Sequence, residues 1–214
     1  MEHDLTLSSE ALRFKEIEHK FIVDEGFDLQ AFRVQLATMG PARTNRITVR
    51  DRFFLTHSGL EQRILFRHRF DAELHQLTIK SIEDDPEVRV EVNIDLGHAH
   101  GNQDAPVDAF LEQLGLRWRG TLHKALEVWY FEDCEVVYYE AFTSSLTVRC
   151  VEFEATRKGS LEQALATVAR FERATGFEGA TRSLLSLPQL LFPELNEMLR
   201  RASGPAPDVR RSNQ

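Results

Sequence analysis

The sequence predicts an α+β fold, an antiparallel β-barrel or strongly curved sheet with flanking helices. Three observations lead there. Apolar and charged residues alternate one by one along several runs, the period of a strand with two unlike faces. Seven or eight such runs follow one another with few helices between them, a pattern of antiparallel rather than crossover connection. The charged faces are also sorted by sign, with acids on the first and last runs and bases on the middle ones.

Taken in order, residues 1–14 form a polar lead-in. The stretch KEIEHKF then opens a strand over 16–23. Glu16, Glu18 and Lys20 share one face, and Ile17, His19 and Phe21 the other. Residues 27–39 place Phe27, Leu29, Phe32, Leu36 and Met39 at helical spacing before Gly40-Pro41 stops them. Strands are expected over 46–56, 61–70, 74–82 and 87–96. The breaks between them are His57-Ser58-Gly59, Asp71-Ala72-Glu73 and Asp84-Asp85-Pro86. In RILFRHRF, Arg63, Leu65, Arg67 and Arg69 line one face; in QLTIKS, Thr78 and Lys80 do. VRVEVNIDL alternates over its whole length, with Arg89, Glu91, Asn93 and Asp95 opposite Val88, Val90, Val92, Ile94 and Leu96.

A Gly/His/Asn loop covers 97–103, and a capped helix follows over 104–115, closed by Gly115. Three more strands are expected near 121–131, 134–142 and 146–156. In the last, Glu152 and Glu154 repeat the early Glu-x-Glu spacing. Helices are expected over 160–174 and 187–201. The Pro/Gly/charge-rich stretch 203–214 reads as a disordered tail. One domain over 1–202 accommodates all of this, with 160–201 as its C-terminal helices.

Composition narrows the function classes. A net charge of −8 argues against general nucleic-acid binding, so an anionic partner must meet local positive charge. Two cysteines, Cys134 and Cys150, make no disulfide framework or metal-ligand spacing, which fits a reducing cytoplasm. The polar, acidic opening does not read as a signal peptide, and no apolar run is long enough to span a membrane. His98-Ala99-His100 has the look of a metal pair without a third ligand. Trp118 and Trp129 read as packing.

Arg-x-Arg is a poor choice for a plain solvent face, because like neighbours repel. If the sheet closes, the charged faces become an interior, and buried charge needs counter-charge, water or a ligand. Two Glu-x-Glu pairs offer hard oxygen donors suited to Mg²⁺ or Mn²⁺. Lys20, Arg67, Arg69, Lys80 and Arg89 offer cations suited to phosphate. Metal with clustered bases is the equipment of phosphoryl transfer.

These motifs resemble the CYTH superfamily, the triphosphate tunnel metalloenzymes. The matching segments are Glu16-Ile17-Glu18-His19-Lys20, DRFFLTHSG from Asp51, ILFRHRF, LTIKS, EVRVEVNIDL and VEFEA, in order across roughly 14–157. The resemblance implies an eight-stranded antiparallel tunnel that holds a triphosphate lengthwise. It implies metal ligation by Glu16, Glu18, Glu152 and Glu154 with help from Glu91. It implies phosphate binding by Lys20, Arg67, Arg69, Lys80, Arg89 and Lys124, and catalytic roles for Glu16, Glu18, Lys80 and Arg89. The expected activity is metal-dependent hydrolysis of inorganic tripolyphosphate or another triphosphate. The alternatives are a class IV-like adenylyl cyclase and a binding module for polyphosphate or nucleotide. The sequence departs from the pattern at HKALEVWYF, where Lys124 fits but Leu126 stands in the place of an arginine. In EVVYYEAF, Glu140 is the candidate for the acid of the next strand. The Leu-rich stretch 184–191 with Phe192 reads as a cap on the barrel or a homodimer surface.

Overall fold

The structure is a computed structural model and describes residues 14–82, 89–156 and 159–202. The lead-in 1–13, the turn at Asp84-Asp85-Pro86 and the tail 203–214 lie outside the described residues.

The antiparallel ladder has nine segments. They are β1 (Phe14–Glu16), β2 (Glu18–Val23), β3 (Arg43–Thr56), β4 (Ile64–Phe70), β5 (His75–Ser81), β6 (Arg89–Asp95), β7 (Leu116–Tyr130), β8 (Cys134–Phe142) and β9 (Thr147–Ala155). Their order is β1-β6-β5-β4-β3-β7-β8-β9-β2. The two ends of this order are neighbours in the chain. β1 pairs with β6 and β2 with β9, and only Ile17 separates them. The expected first strand is therefore one strand split between two partners, and the count of eight strands holds on that reading. Ala155 N–H donates to the Ile17 carbonyl at 3.1 Å, so even the switch point is hydrogen-bonded. The split strand draws the sheet's two ends together and curls it into a tunnel.

On β2 and β9, and on β4 and β5, the outward face carries most of the apolar half of the alternation, and helices cover it. α1 (Leu29–Thr38) and α4 (Leu161–Thr175) cover β2, β9 and β8, with Phe32, Leu36, Val168 and Phe171 packed on Phe21, Val136, Val151 and Phe153. α3 (Asp104–Gln113) sets Val107 and Leu111 on Phe54, Phe66 and Leu77. Caps fix two of these helices: Asp28 accepts from Ala31 N–H at 2.9 Å, and Ser160 from Gln163 N–H at 3.2 Å. The left-handed Gly176, φ 82°, closes α4.

Four further segments differ from expectation. Residues 57–62 form a short helix, α2 (His57–Gln62), capped by the Thr56 side chain on Gly59 N–H at 3.0 Å. Arg63 ends it in a left-handed conformation and donates to the Ile82 carbonyl at 3.1 Å, so it does not continue the Arg67/Arg69 row. β3 and β7 run longer than expected and pair over their whole lengths, from Arg43↔Tyr130 to Thr56↔Leu116. The last helix is broken into α5 (Leu187–Leu191) and α6 (Pro193–Ala202). Pro193 has no N–H to continue the ladder and disfavours helical geometry at Phe192, so the chain turns there. This bend lets Leu187, Leu191, Phe192 and Leu195 pack together on Phe53, Leu65, Leu122 and Tyr139 at one end of the tunnel.

Candidate active site

Alternation fixes what faces the tunnel. β3 sends in Ile47, Val49, Asp51 and Phe53; β4 sends Leu65, Arg67 and Arg69; β7 sends Lys124, Leu126, Val128 and Tyr130. Glu18 and Lys20 enter from β2, Lys80 from β5, and Glu152 and Glu154 from β9. Together they line a cavity of about 230 Å³. Leu187 and Pro188 of α5 line it too, and with the packing of α5 they close the end towards Leu122. Tyr130 and the turn Asp71–Leu74 form the opposite rim.

The inward charges are bridged to one another. Asp51, fully buried, takes two hydrogen bonds from Arg69, at 2.7 and 2.8 Å, and faces Lys124 Nζ at 3.0 Å. Glu91 faces Arg67 at 3.0 Å and Lys80 at 2.8 Å. Lys20 spans Glu18 at 3.2 Å and Glu152 at 3.1 Å. Glu152 also accepts from the Tyr139 hydroxyl at 2.6 Å. Arg67 donates to Thr78, which donates to Asn93 at 2.7 Å. Arg67 Nε is buried without a hydrogen-bond acceptor among the described residues, a donor left for an incoming anion.

This pairing sets the protonation states. Burial would raise the Asp51 carboxyl, but the charges of Arg69 and Lys124 outweigh it and hold the acid well below its usual range. Burial, then the charge of Arg69, pushes the Lys124 ammonium down to about 8, with Asp51 opposing. Burial and the neighbouring Glu152 hold the Tyr139 phenol well above its usual value, so it remains a donor.

Four carboxylates gather on the β2–β9–β8 side. Glu18 stands opposite Glu154, and Glu154 opposite Glu135 of β8, all lining the cavity, with Glu152 next along β9. Like charges directly opposite repel, so this row calls for a cation. Glu135 was missed by the sequence reading. Burial raises its carboxyl, with Arg43 opposing. Glu140 has the opposite parity and bonds Tyr138 and Arg149 instead, at 3.3 and 2.8 Å. Both Glu135 and Glu140 sit in an alternating strand, and only the register with Glu154 selects between them. All-oxygen donors of this kind suit Mg²⁺ or Mn²⁺ chemically. In the arrangement seen, Lys20 holds two of them, and no group of three described Asp, Glu, His or Cys side chains is gathered about one ion position.

Glu91, expected as a helper at the metal, is engaged with Arg67 and Lys80. The side chains of Glu16 and Arg89 lie outside the described part of the structure; their backbones are register partners between β1 and β6. Leu126 lines the cavity at the position of the missing arginine, opposite Ile47 on one side and Tyr139 on the other. His98 does not line the tunnel, and its Nε2 lies 3.1 Å from the Asp71 carbonyl. Trp129 is buried under α1, and Trp118 packs edge-on to Phe192.

No family model matches the sequence, and no curated protein is similar to it. Solved structures are similar in fold. A Pyrococcus horikoshii protein superposes with a TM-score of 0.66 at 16% identity, covering 82% of this chain and 99% of its own. A Bacillus halodurans protein described as a candidate adenylate cyclase gives 0.58 at 19% identity, covering 85% and 99%. A Vibrio parahaemolyticus protein of the same description gives 0.57 at 14% identity, covering 82% and 97%. The chain shares the fold of these proteins, and it is the tunnel-like antiparallel sheet that the CYTH resemblance led one to expect. The lining of the tunnel is uneven, charged on one side and mainly aliphatic on the β3–β7–β8 side. No helix of the described residues is long and apolar enough to cross a membrane.

Proposed function

We propose that the protein is a divalent-metal-dependent phosphohydrolase acting on a triphosphate-containing small molecule held in the tunnel. The observation that carries this is the bridging of inward bases by inward acids: Arg69 and Lys124 on Asp51, Arg67 and Lys80 on Glu91. Bases held in this way are oriented before a substrate arrives, so phosphate oxygens meet fixed donors rather than mobile side chains. Arg67 presents its buried Nε, and Lys20, Arg69 and Lys124 complete the phosphate contacts.

Glu18, Glu152 and Glu154, joined by Glu135, would hold Mg²⁺ or Mn²⁺. Lys20 serves as their counter-ion in the arrangement seen. A bound divalent ion supplies charge neutralisation for phosphate oxygens and acidifies attacking water. Tyr139 orients Glu152 through its hydroxyl. Lys80 and Arg67, sharing Glu91, stabilise charge that grows on the transferred and leaving groups. Glu16 and Arg89 join the ligand and phosphate sets on the strength of their motif positions.

The test is phosphate release from tripolyphosphate and from ATP, with Mg²⁺ and with Mn²⁺. Wild type should turn over, and Glu18→Gln/Glu152→Gln should lose at least about a hundredfold in kcat/KM while keeping its circular dichroism. Cyclic AMP and pyrophosphate from ATP would instead make it a cyclase. Tight binding of triphosphate without any product would make it a binding module.

A further inference from the structure

His98-Ala99-His100 lacked a third ligand in the sequence, and the fold gives His98 neighbours that spacing does not show. On the outer face of β4 and β5, outside the tunnel lining, His68 and His75 interrupt the apolar row beneath α3, each 1% exposed. They stand diagonally across the β4–β5 ladder, with Nε2 atoms 3.2 Å apart and ring centres 5.3 Å apart. The exposed His98, on the loop after β6, has its ring centre 5.9 Å from that of His75.

The placement of protons decides what this cluster lacks. The Gly97 carbonyl beside His75 Nδ1 can only accept, so Nδ1 carries the proton and Nε2 keeps a bare lone pair. The Asp71 carbonyl does the same to His98 Nε2, which leaves its Nδ1 bare. His68 then faces an acceptor on each side: the bare Nε2 of His75 and, 3.5 Å from its Nδ1, a carboxylate oxygen of Asp104. Burial would raise that acid, but Arg50 and Arg52 outweigh it and hold its carboxyl below the usual range. A neutral His68 has one proton for these two acceptors, and its Nδ1 is buried without a hydrogen bond among the described residues. With that proton aimed at Asp104, two bare Nε2 atoms face each other. A further proton would fill the gap, but burial disfavours it.

A metal ion fills the gap without one. Two nitrogens on one tetrahedral Zn²⁺, with Zn–N of about 2.0–2.1 Å, stand roughly 3.3 Å apart, close to the 3.2 Å between His68 and His75. Ligating histidines also give their other N–H to a carboxylate or a backbone carbonyl, and Asp104, Gly97 and Asp71 are such partners here.

We propose that His68, His75 and His98 form a binding site for a borderline divalent cation, Zn²⁺ above all, on the outside of the tunnel. His68 and His75 ligate through Nε2 and His98 through Nδ1, with water in the fourth position. In the arrangement seen the three nitrogens are not gathered on one point, and the approach of the exposed His98 ring completes the set and admits the ion from solvent. Imidazole donors suit Zn²⁺, whereas the tunnel's carboxylates suit Mg²⁺ or Mn²⁺, so the two sites take different metals. The bound ion ties β4, β5 and the loop after β6 together. The site stands whether or not the tunnel turns over a triphosphate.

The experiment is calorimetric titration of Zn²⁺ into wild type, His98→Ala, His75→Phe and Glu18→Gln/Glu152→Gln. Wild type should bind one Zn²⁺ that the carboxylate variant keeps and His75→Phe loses, and His98→Ala should weaken it by at least about tenfold. Zn²⁺ should also raise the thermal midpoint of wild type more than that of His98→Ala. If His75→Phe does not fold, His98→Ala decides alone, because its side chain is exposed. No Zn²⁺ binding by wild type, or equal binding by His98→Ala, would overturn the site. So would binding kept in His75→Phe, which would place the ion on the surface pair His98 and His100, or binding lost only in the carboxylate variant, which would place it in the tunnel.

Discussion

The tunnel has two walls that obey different rules. On the β4–β5–β6 side and on β2 and β9, the described inward positions are largely charged or polar, and each base is tied to an acid. On β3, β7 and β8 the inward positions are mainly aliphatic, and Asp51, Lys124 and Glu135 are the charges that interrupt them. The charged wall is costly to form. Its ions leave water and recover that loss only through neighbours placed at hydrogen-bonding distance. The aliphatic wall forms at little cost but discriminates weakly alone. The difference teaches that the charge count of such a tunnel says less than the side on which each charge sits.

Asp51 is where the comparison breaks most sharply. It comes from the aliphatic side yet holds two cations of the site, Arg69 and Lys124. Asp51→Asn leaves both buried without their counter-charge. The expected cost is about 3–5 kcal/mol of unfolding free energy, read by urea titration, with activity falling alongside. A loss below about 1 kcal/mol would mean that the two cations reach water after all.

A smaller effect is expected at Tyr139, which joins the walls by donating to Glu152. Tyr139→Phe removes one hydroxyl and little volume. The expected result is roughly a tenfold drop in kcat, with a higher Mg²⁺ or Mn²⁺ concentration needed for half activation. A change in stability with no change in the metal requirement would leave Tyr139 a packing residue.

The smallest effect concerns proton binding at Lys124. Its ammonium is depressed to about 8, so it is charged below that pH and neutral above it. Phosphate binding should therefore weaken as pH rises through 8, with KM increasing a few-fold. Lys124→Arg keeps its charge and should remove this rise. Stability moves the other way. Between pH 8 and the ordinary lysine range the unfolded chain keeps a proton that the folded one has lost, so stability from this group increases with pH. A parallel rise of KM in wild type and Lys124→Arg would place the titrating group elsewhere.

Much of this was legible before the structure. Single-residue alternation in VRVEVNIDL, RILFRHRF and VEFEA states which side chains share a face, because a strand's geometry allows nothing else. Their sorting by sign pointed to an interior for phosphate and metal. Pro193 is also a visible signal for the helix break, set within an apolar spacing that runs on through it. Other features had no local signal. KEIEHKF reads as one strand, and nothing in it shows that Ile17 divides the pairing between β6 and β9. CEVVYYEAF alternates equally well in either sense, so Glu135 and Glu140 could not be told apart by pattern.

By itself, then, the sequence determined the strand faces and the chemistry they carry, since both follow from spacing and side-chain type. The tertiary structure alone decided which faces meet. Register set Glu135 beside Glu154 and Asp51 between Arg69 and Lys124, and the bend at Phe192 carried α5 across one end of the tunnel. Those are relations between residues far apart in the chain. They are fixed by hydrogen-bond ladders and packing, which a reading along one strand does not contain.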